Sequence, residues 1–296
     1  MKKLVMAMLG LVAMCATADD RPIPADVVPG GLTKSKCAFK VALAGCTLRK
    51  LNVDQAIDVV GKAEVKFLGV DLAQLPLAST DEQVDAFKKR LEAAGARPVS
   101  YGVVQFENEG DCRRAFEIAR RLGAEVVIGV PVGRNEKAKP EEDWRTESKE
   151  MIDVAENLVK SFNIKFAIPT LGDDPSRVYR FADQVWRHVE KRDPRMGLCL
   201  DIGEEFRVGR STYDTVWNYH SRIFSLRVRN LSDPSRKAVE MSCPAGAIDI
   251  VEIFQRLSER KWAGVAELDW RREAESPLSG VLLSLGYLRG IADGIR

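Results

Sequence analysis

Between Pro194 and Gly209 the chain reads PRMGLCLDIGEEFRVG. An apolar run, Met196–Leu200, ends on a carboxylate, Asp201, and a glycine-containing turn, with Glu204 and Glu205 following at once. An acid at the C-terminal end of a buried parallel strand is where α/β folds place chemistry. A second apolar run, 264–268, carries Glu267, and Asp269 stands two residues on. Two such positions on a strand face the same side, the arrangement of an acid/base pair for proton transfer. The chain has only two histidines, His188 and His220, both inside helical patterns where they read as surface or capping residues. Any mechanism must therefore work with carboxylates, Arg, Lys and backbone.

These residues need strands and turns to position them. From Phe39 onward, short β-like runs alternate with amphipathic helical stretches. The strand runs are 39–44, 65–71, 98–104, 125–130, 164–168, 196–201, 223–228 and 264–268. Each is apolar almost throughout, as a strand buried on both faces should be. The helices between them carry start and stop signals. Thr80-Asp81-Glu82-Gln83 is a capping box ahead of Val84, Phe87 and Leu91, and Gly95 and Gly123 stand at helix C-termini. Eight strand–helix units in about 260 residues predict a single α/β domain, a (β/α)8 TIM barrel over residues 37–296. A doubly wound open sheet is disfavoured, because Ala44-Gly45-Cys46-Thr47 follows the first strand where a Gly-x-Gly-x-x-Gly loop would be expected.

The N-terminal residues MKKLVMAMLGLVAMCATA have a basic start, a short apolar run and a small-x-small site at Ala16-Thr17-Ala18. That pattern predicts a signal peptide over residues 1–18 and an exported protein, periplasmic or extracellular. Residues 19–36, rich in Pro and Gly, read as a linker. No other segment has the roughly 18 apolar residues of a membrane-spanning helix, so no membrane contact beyond export is expected. A net charge of +2 with acids and bases interspersed gives no nucleic-acid footprint. Beyond Cys15 the cysteines are Cys37, Cys46, Cys112, Cys199 and Cys243, an odd and irregular set rather than a disulfide framework. Cys37 and Cys46 flank an extended run and stand too far apart to bridge.

GLCLDIG, RIFSLRVRN, PAGAIDI and GVAELDW, in that order, resemble the sugar phosphate isomerase/epimerase superfamily of xylose isomerase-like barrels. The resemblance implies a divalent ion (Mn, Mg or Co) at the C-terminal mouth and a monosaccharide or polyol substrate. The ion would be held by a Glu after the fifth strand, an Asp after the sixth, a His after the seventh and a Glu on the eighth. Asp201 and Glu267 match two of those four positions. The fifth strand ends Ala167-Ile168-Pro169-Thr170-Leu171 without an acid. Glu204 replaces the histidine of Asp-x-Gly-His, Arg227 the seventh-strand histidine, and Asn230 a nearby acid. Glu204 could join Asp201 and Glu267 in an all-carboxylate metal site; alternatively, Glu204 and Glu205 only favour the N-terminus of the next helix. A guanidinium cannot coordinate a metal. The competing expectation is thus an ion pair across the mouth, with Arg227 or Arg229 as partner and no metal.

Under the isomerase reading, Glu267, Asp201 and Asp269 are the catalytic candidates. Arg227, Asn230 and Trp270 are the substrate-binding candidates, Trp270 as a sugar-stacking platform. The polar stretch 134–143 after the fourth strand reads as a lid or a solvated insertion. Two functions follow: an exported sugar isomerase/epimerase, or a barrel that has lost its metal and serves only to bind carbohydrate or as a structural module. Export disfavours a phosphorylated sugar. The nuclease branch of the superfamily is excluded, since its metal cluster needs several strand-end histidines.

Overall fold

The computed structural model describes residues 38–134, 145–174 and 178–295. The signal peptide and linker expectations, Cys37, Trp144 and positions 135–143 of the polar stretch lie outside the described residues.

Eight parallel strands form the barrel: Lys40–Ala44, Phe67–Val70, Arg97–Phe106, Val126–Arg134, Lys165–Pro169, Met196–Asp201, Ile223–Val228 and Val265–Leu268. Each falls on one of the apolar runs read from the sequence. The first strand pairs with both the second and the eighth, and the third pairs with the fourth, so the sheet closes on itself. An open doubly wound sheet would leave two edges; here every barrel strand has two neighbours. Two short antiparallel additions decorate the loops: Arg145–Glu147 against the fourth strand, and Asn230–Leu231 against Glu240–Met241.

The outer helices are Val53–Lys62, Asp81–Ala93, Glu109–Leu122, Lys149–Phe162, Ala182–Val189, Thr212–Tyr219, Ile250–Glu259 and Leu278–Gly294. Thr80 forms the expected capping box with Gln83, and Asn52 forms one with Gln55. Gly123 ends its helix in the left-handed conformation that a residue without Cβ adopts at no steric cost. The main core lies between strands and helices; Ile152, Ala155, Leu158 and Val159 contribute one helix face to it. Two smaller clusters contain strand residues alone and fill the barrel itself: Val126, Ile128, Ala167, Cys199 and Phe224, then Ala42, Val99 and Val265.

Candidate functional site at the barrel mouth

Strand register brings three of the marked residues together. Arg227 on the seventh strand pairs with Asp201 on the sixth and with Glu267 on the eighth. Glu267 is fully buried: its Oε1 accepts hydrogen bonds from Ser100 Oγ (2.9 Å) and Ser225 Oγ (2.8 Å), and its Oε2 lies 3.1 Å from Arg227 Nη1. That last contact is an ion pair rather than a well-directed hydrogen bond, for Oε2 has no aligned donor. A Cβ on Gly69 would sit 2.2 Å from Oε2, so the glycine is what admits the carboxylate. Burial alone would pull the Arg227 guanidinium down; the Glu267 carboxylate first, with Asp269 adding to it, outweighs it and holds Arg227 well above its ordinary value.

Asp201 ends its strand and caps the short helix Ile202–Arg207, its Oδ1 accepting from Glu204 N at 3.1 Å. Its backbone N–H donates to Thr170 Oγ1 (2.8 Å), so a hydroxyl stands at the acid-free end of the fifth strand. Arg229 Nη1 bridges Asp201 Oδ2 (3.3 Å) and Glu204 Oε1 (2.6 Å). Asp269 lies just past the eighth strand and takes a forked contact from Arg271, Nε to Oδ1 at 3.0 Å and Nη2 to Oδ2 at 2.5 Å. Burial acts to raise the Asp269 carboxyl, but Arg271 first, then Arg229 and Arg227, hold it well below the usual carboxylate range. Of the two expectations for Glu204 and Glu205, the structure meets the second: both stand in the first turn of the helix Ile202–Arg207. Glu204 turns to the mouth, whereas Glu205 stays buried and accepts from Ala182 N at 2.9 Å, at the N-terminus of the preceding outer helix, Ala182–Val189.

These groups surround a cavity of about 240 Å³ lined by Asp201, Glu204, Arg227, Asp269 and Arg271, with Cys46, Arg49, Asp71 and Thr170 on the remaining walls. Arg271, Arg49 and Cys46 were not marked from the sequence. An Asp-x-Arg spacing at 269–271 was the available signal for the first; the other two are brought in by the turn after the first strand, which carries no pattern of its own.

Two expectations need correction. Asn230 does not face a ligand: it is buried, its Nδ2 donates to the carbonyls of Cys243 and Ile248, and its Oδ1 accepts from the N–H groups of Leu231 and Ile248. It staples the loop after the seventh strand. Trp270 is only 5 % exposed, and its indole packs against Gly280 of the last helix, where a Cβ would lie 2.3 Å away. A ring so covered offers no stacking face; Trp270 is a packing residue. His188 meets Glu147 and His220 meets the Trp217 carbonyl, and neither lines the mouth cavity.

A family model described as a xylose isomerase-like TIM barrel matches residues 63–291. The chain belongs to that family. No curated protein matches the sequence. Among solved structures, the IOLI protein with a bound zinc atom is similar at a TM-score of 0.69 and 17 % identity, over 87 % of this chain and 99 % of that one. A xylose isomerase domain protein from Planctomyces limnophilus gives 0.62 and 16 %, over 89 % and 99 %. A D-psicose 3-epimerase solved in the presence of D-fructose gives 0.65 and 12 %, over 86 % and 100 %. At these identities the likeness is one of fold.

The similar IOLI structure carries a zinc atom, and the sequence resemblance implies a divalent ion, so the donor set here must be tested against an ion. It does not fit one. The three carboxylates expected as ligands are not grouped as a coordination set, and among the described residues no group of three or more His, Cys, Asp or Glu side chains is arranged to hold a metal. The faces they would turn to an ion are turned to guanidiniums: Arg229 for Asp201 and Glu204, Arg227 for Glu267. Cys46 does not compensate, because burial, with Asp269 adding to it, pushes its thiol far up and keeps it neutral.

Glu205 gives this barrel a pH dependence away from the mouth. Burial pushes its carboxyl from 4.5 up to about 7, against the opposing pull of the Ala182 N–H and Arg210. A folded-state value above the unfolded one means that the native state holds the proton longer. Stability from this group is complete below about pH 4.5 and falls as pH rises to about 7, by roughly 2–3 kcal/mol. Glu205→Gln keeps an acceptor for Ala182 and cannot ionise. Its melting temperature should exceed that of the parent above pH 7 and converge with it near pH 4.5; equal melts at pH 8 would refute this.

Proposed function

We propose that this protein is an exported xylose isomerase-like barrel that binds a small monosaccharide or polyol at its C-terminal mouth, without metal-dependent isomerisation. The observation that carries this reading is that each mouth carboxylate the family's chemistry would use already has a guanidinium partner. A carboxylate held far below its usual range, as Asp269 is by Arg271, is a poor base for drawing a proton from carbon. Glu267 has its oxygens committed to two serines and Arg227, in a position with no exposure. The similar D-psicose 3-epimerase solved in the presence of D-fructose supports the ligand class, and the apolar N-terminal run supports export.

The test is metal content together with turnover. The mature protein, purified without chelator, is expected to carry only trace Mn, Mg, Co or Zn, and to leave D-fructose and other ketoses unconverted while binding one or more of them in calorimetry. A near-stoichiometric ion accompanied by interconversion of ketoses would return the protein to the isomerases.

A further inference from the structure

We infer that Arg227 serves as the oxygen-binding cation of the mouth, offering guanidinium N–H donors to adjacent oxygens of a small neutral polyol. The inference rests on the carbohydrate-binding reading above and assigns its ligand contact. Arg227 is 6 % exposed yet lines the cavity. Its one strong partner is Glu267, met through Nη1; the same nitrogen reaches Cys46 Sγ at 3.7 Å. Apart from these contacts and the nearby Cys199 thiol, its Nε and Nη2 groups meet no oxygen acceptor among the described residues. Thiol sulfur is a weak acceptor, and no Arg227 nitrogen is among the buried polar atoms left without a partner, so the donors free of oxygen partners are those open to the cavity. The open side of the cavity is where an oxygen for them would come from. A planar fork of N–H donors suits two oxygens on neighbouring atoms.

Charge decides the ligand's class. The cavity wall sets Arg49, Arg227 and Arg271 against Asp71, Asp201, Glu204 and Asp269. An anionic sugar would add a further negative charge to a wall where carboxylates already outnumber guanidiniums. Neutral hydroxyls instead use both signs, accepting from Arg227 and donating to a carboxylate such as Asp71. The volume, about 240 Å³, falls below the roughly 300–1,000 Å³ of drug-sized pockets and limits the ligand to monosaccharide size.

The probes are xylitol, D-fructose and, as the anionic arm, D-gluconate. Each is titrated calorimetrically into the mature protein in EDTA and again in Mn²⁺, with thermal melts in parallel. At least one neutral probe is expected to bind equally well in both buffers, and gluconate at least about tenfold more weakly. Arg227→Lys keeps a cation opposite Glu267 but loses the fork; it should fold and bind the neutral probe about tenfold more weakly. Arg227→His should gain stabilisation by Mn²⁺ that the parent lacks. Sugar binding that requires Mn²⁺ in the parent, or a folded Arg227→Lys with unchanged affinity, would overturn the role of Arg227 and leave the carbohydrate reading standing. Gluconate binding as tightly as the neutral probes would overturn the neutral ligand. If no probe binds in either buffer, the carbohydrate reading fails and the ligand contact of Arg227 falls with it.

Discussion

Arg227→Ala should destabilise the protein by about 3–5 kcal/mol, because it leaves the Glu267 carboxylate buried without its counter-charge. The effect comes less from a lost attraction than from a stranded ion. Glu267 is fully buried, and its second oxygen has no aligned donor and only the guanidinium as counter-charge. Two serine hydroxyls on the first oxygen soften the penalty without removing it. Urea unfolding at pH 7 measures the loss. The double variant Arg227→Ala, Glu267→Gln removes the stranded charge and should recover part of it, a non-additivity expected of residues in contact. A loss below about 1 kcal/mol for Arg227→Ala would indicate that the pair is solvated and the mouth is wetter than its burial implies. Turnover present in the parent and lost in a stable Arg227→Ala would instead mark Arg227 as a contact to the substrate of an active isomerase.

Asn230→Ala should cost about 3 kcal/mol and leave ligand affinity unchanged. Its amide answers four backbone groups at once, the carbonyls of Cys243 and Ile248 and the N–H groups of Leu231 and Ile248. Alanine would leave them unpaired in a buried place, where each such group costs on the order of 1–3 kcal/mol before relaxation. Relaxation of the loop returns some of that sum. Had Asn230 faced the ligand, the same substitution would weaken binding and spare stability. Parallel melts and titrations of the variant distinguish the two, and weakened binding at unchanged stability would refute the staple.

The barrel was legible because its signals are local and repeated. Eight apolar runs, punctuated by capping boxes such as Thr80–Gln83 and terminal glycines such as Gly123, allow few other arrangements. The positions of Asp201 and Glu267 were legible for the same reason: a residue at the end of a parallel strand reaches the mouth wherever the barrel closes. Asp201, Arg227 and Glu267 fall on neighbouring strands in a single register, which strand boundaries read from the sequence suffice to align.

Partnership was not legible in this way. Arg227 and Arg229 both stood as candidate partners for the mouth acids, and the fold gives one to each: Glu267 to Arg227, Asp201 and Glu204 to Arg229. Asn230 and Trp270 sit at strand ends that read as functional, but the loop over Asn230 and the last helix over Trp270 turn both inward. Cys46, Arg49 and Arg271 reach the cavity by turns that no periodicity marks. Strand and helix periods depend on near neighbours along the chain, so the strand residues that reach the C-terminal end of the barrel, such as Asp201 and Glu267, can be read before any folding is considered. Only the tertiary structure decided which of those charges meet and which side chains face solvent or packing, because residues far apart in sequence approach one another only once the barrel has closed.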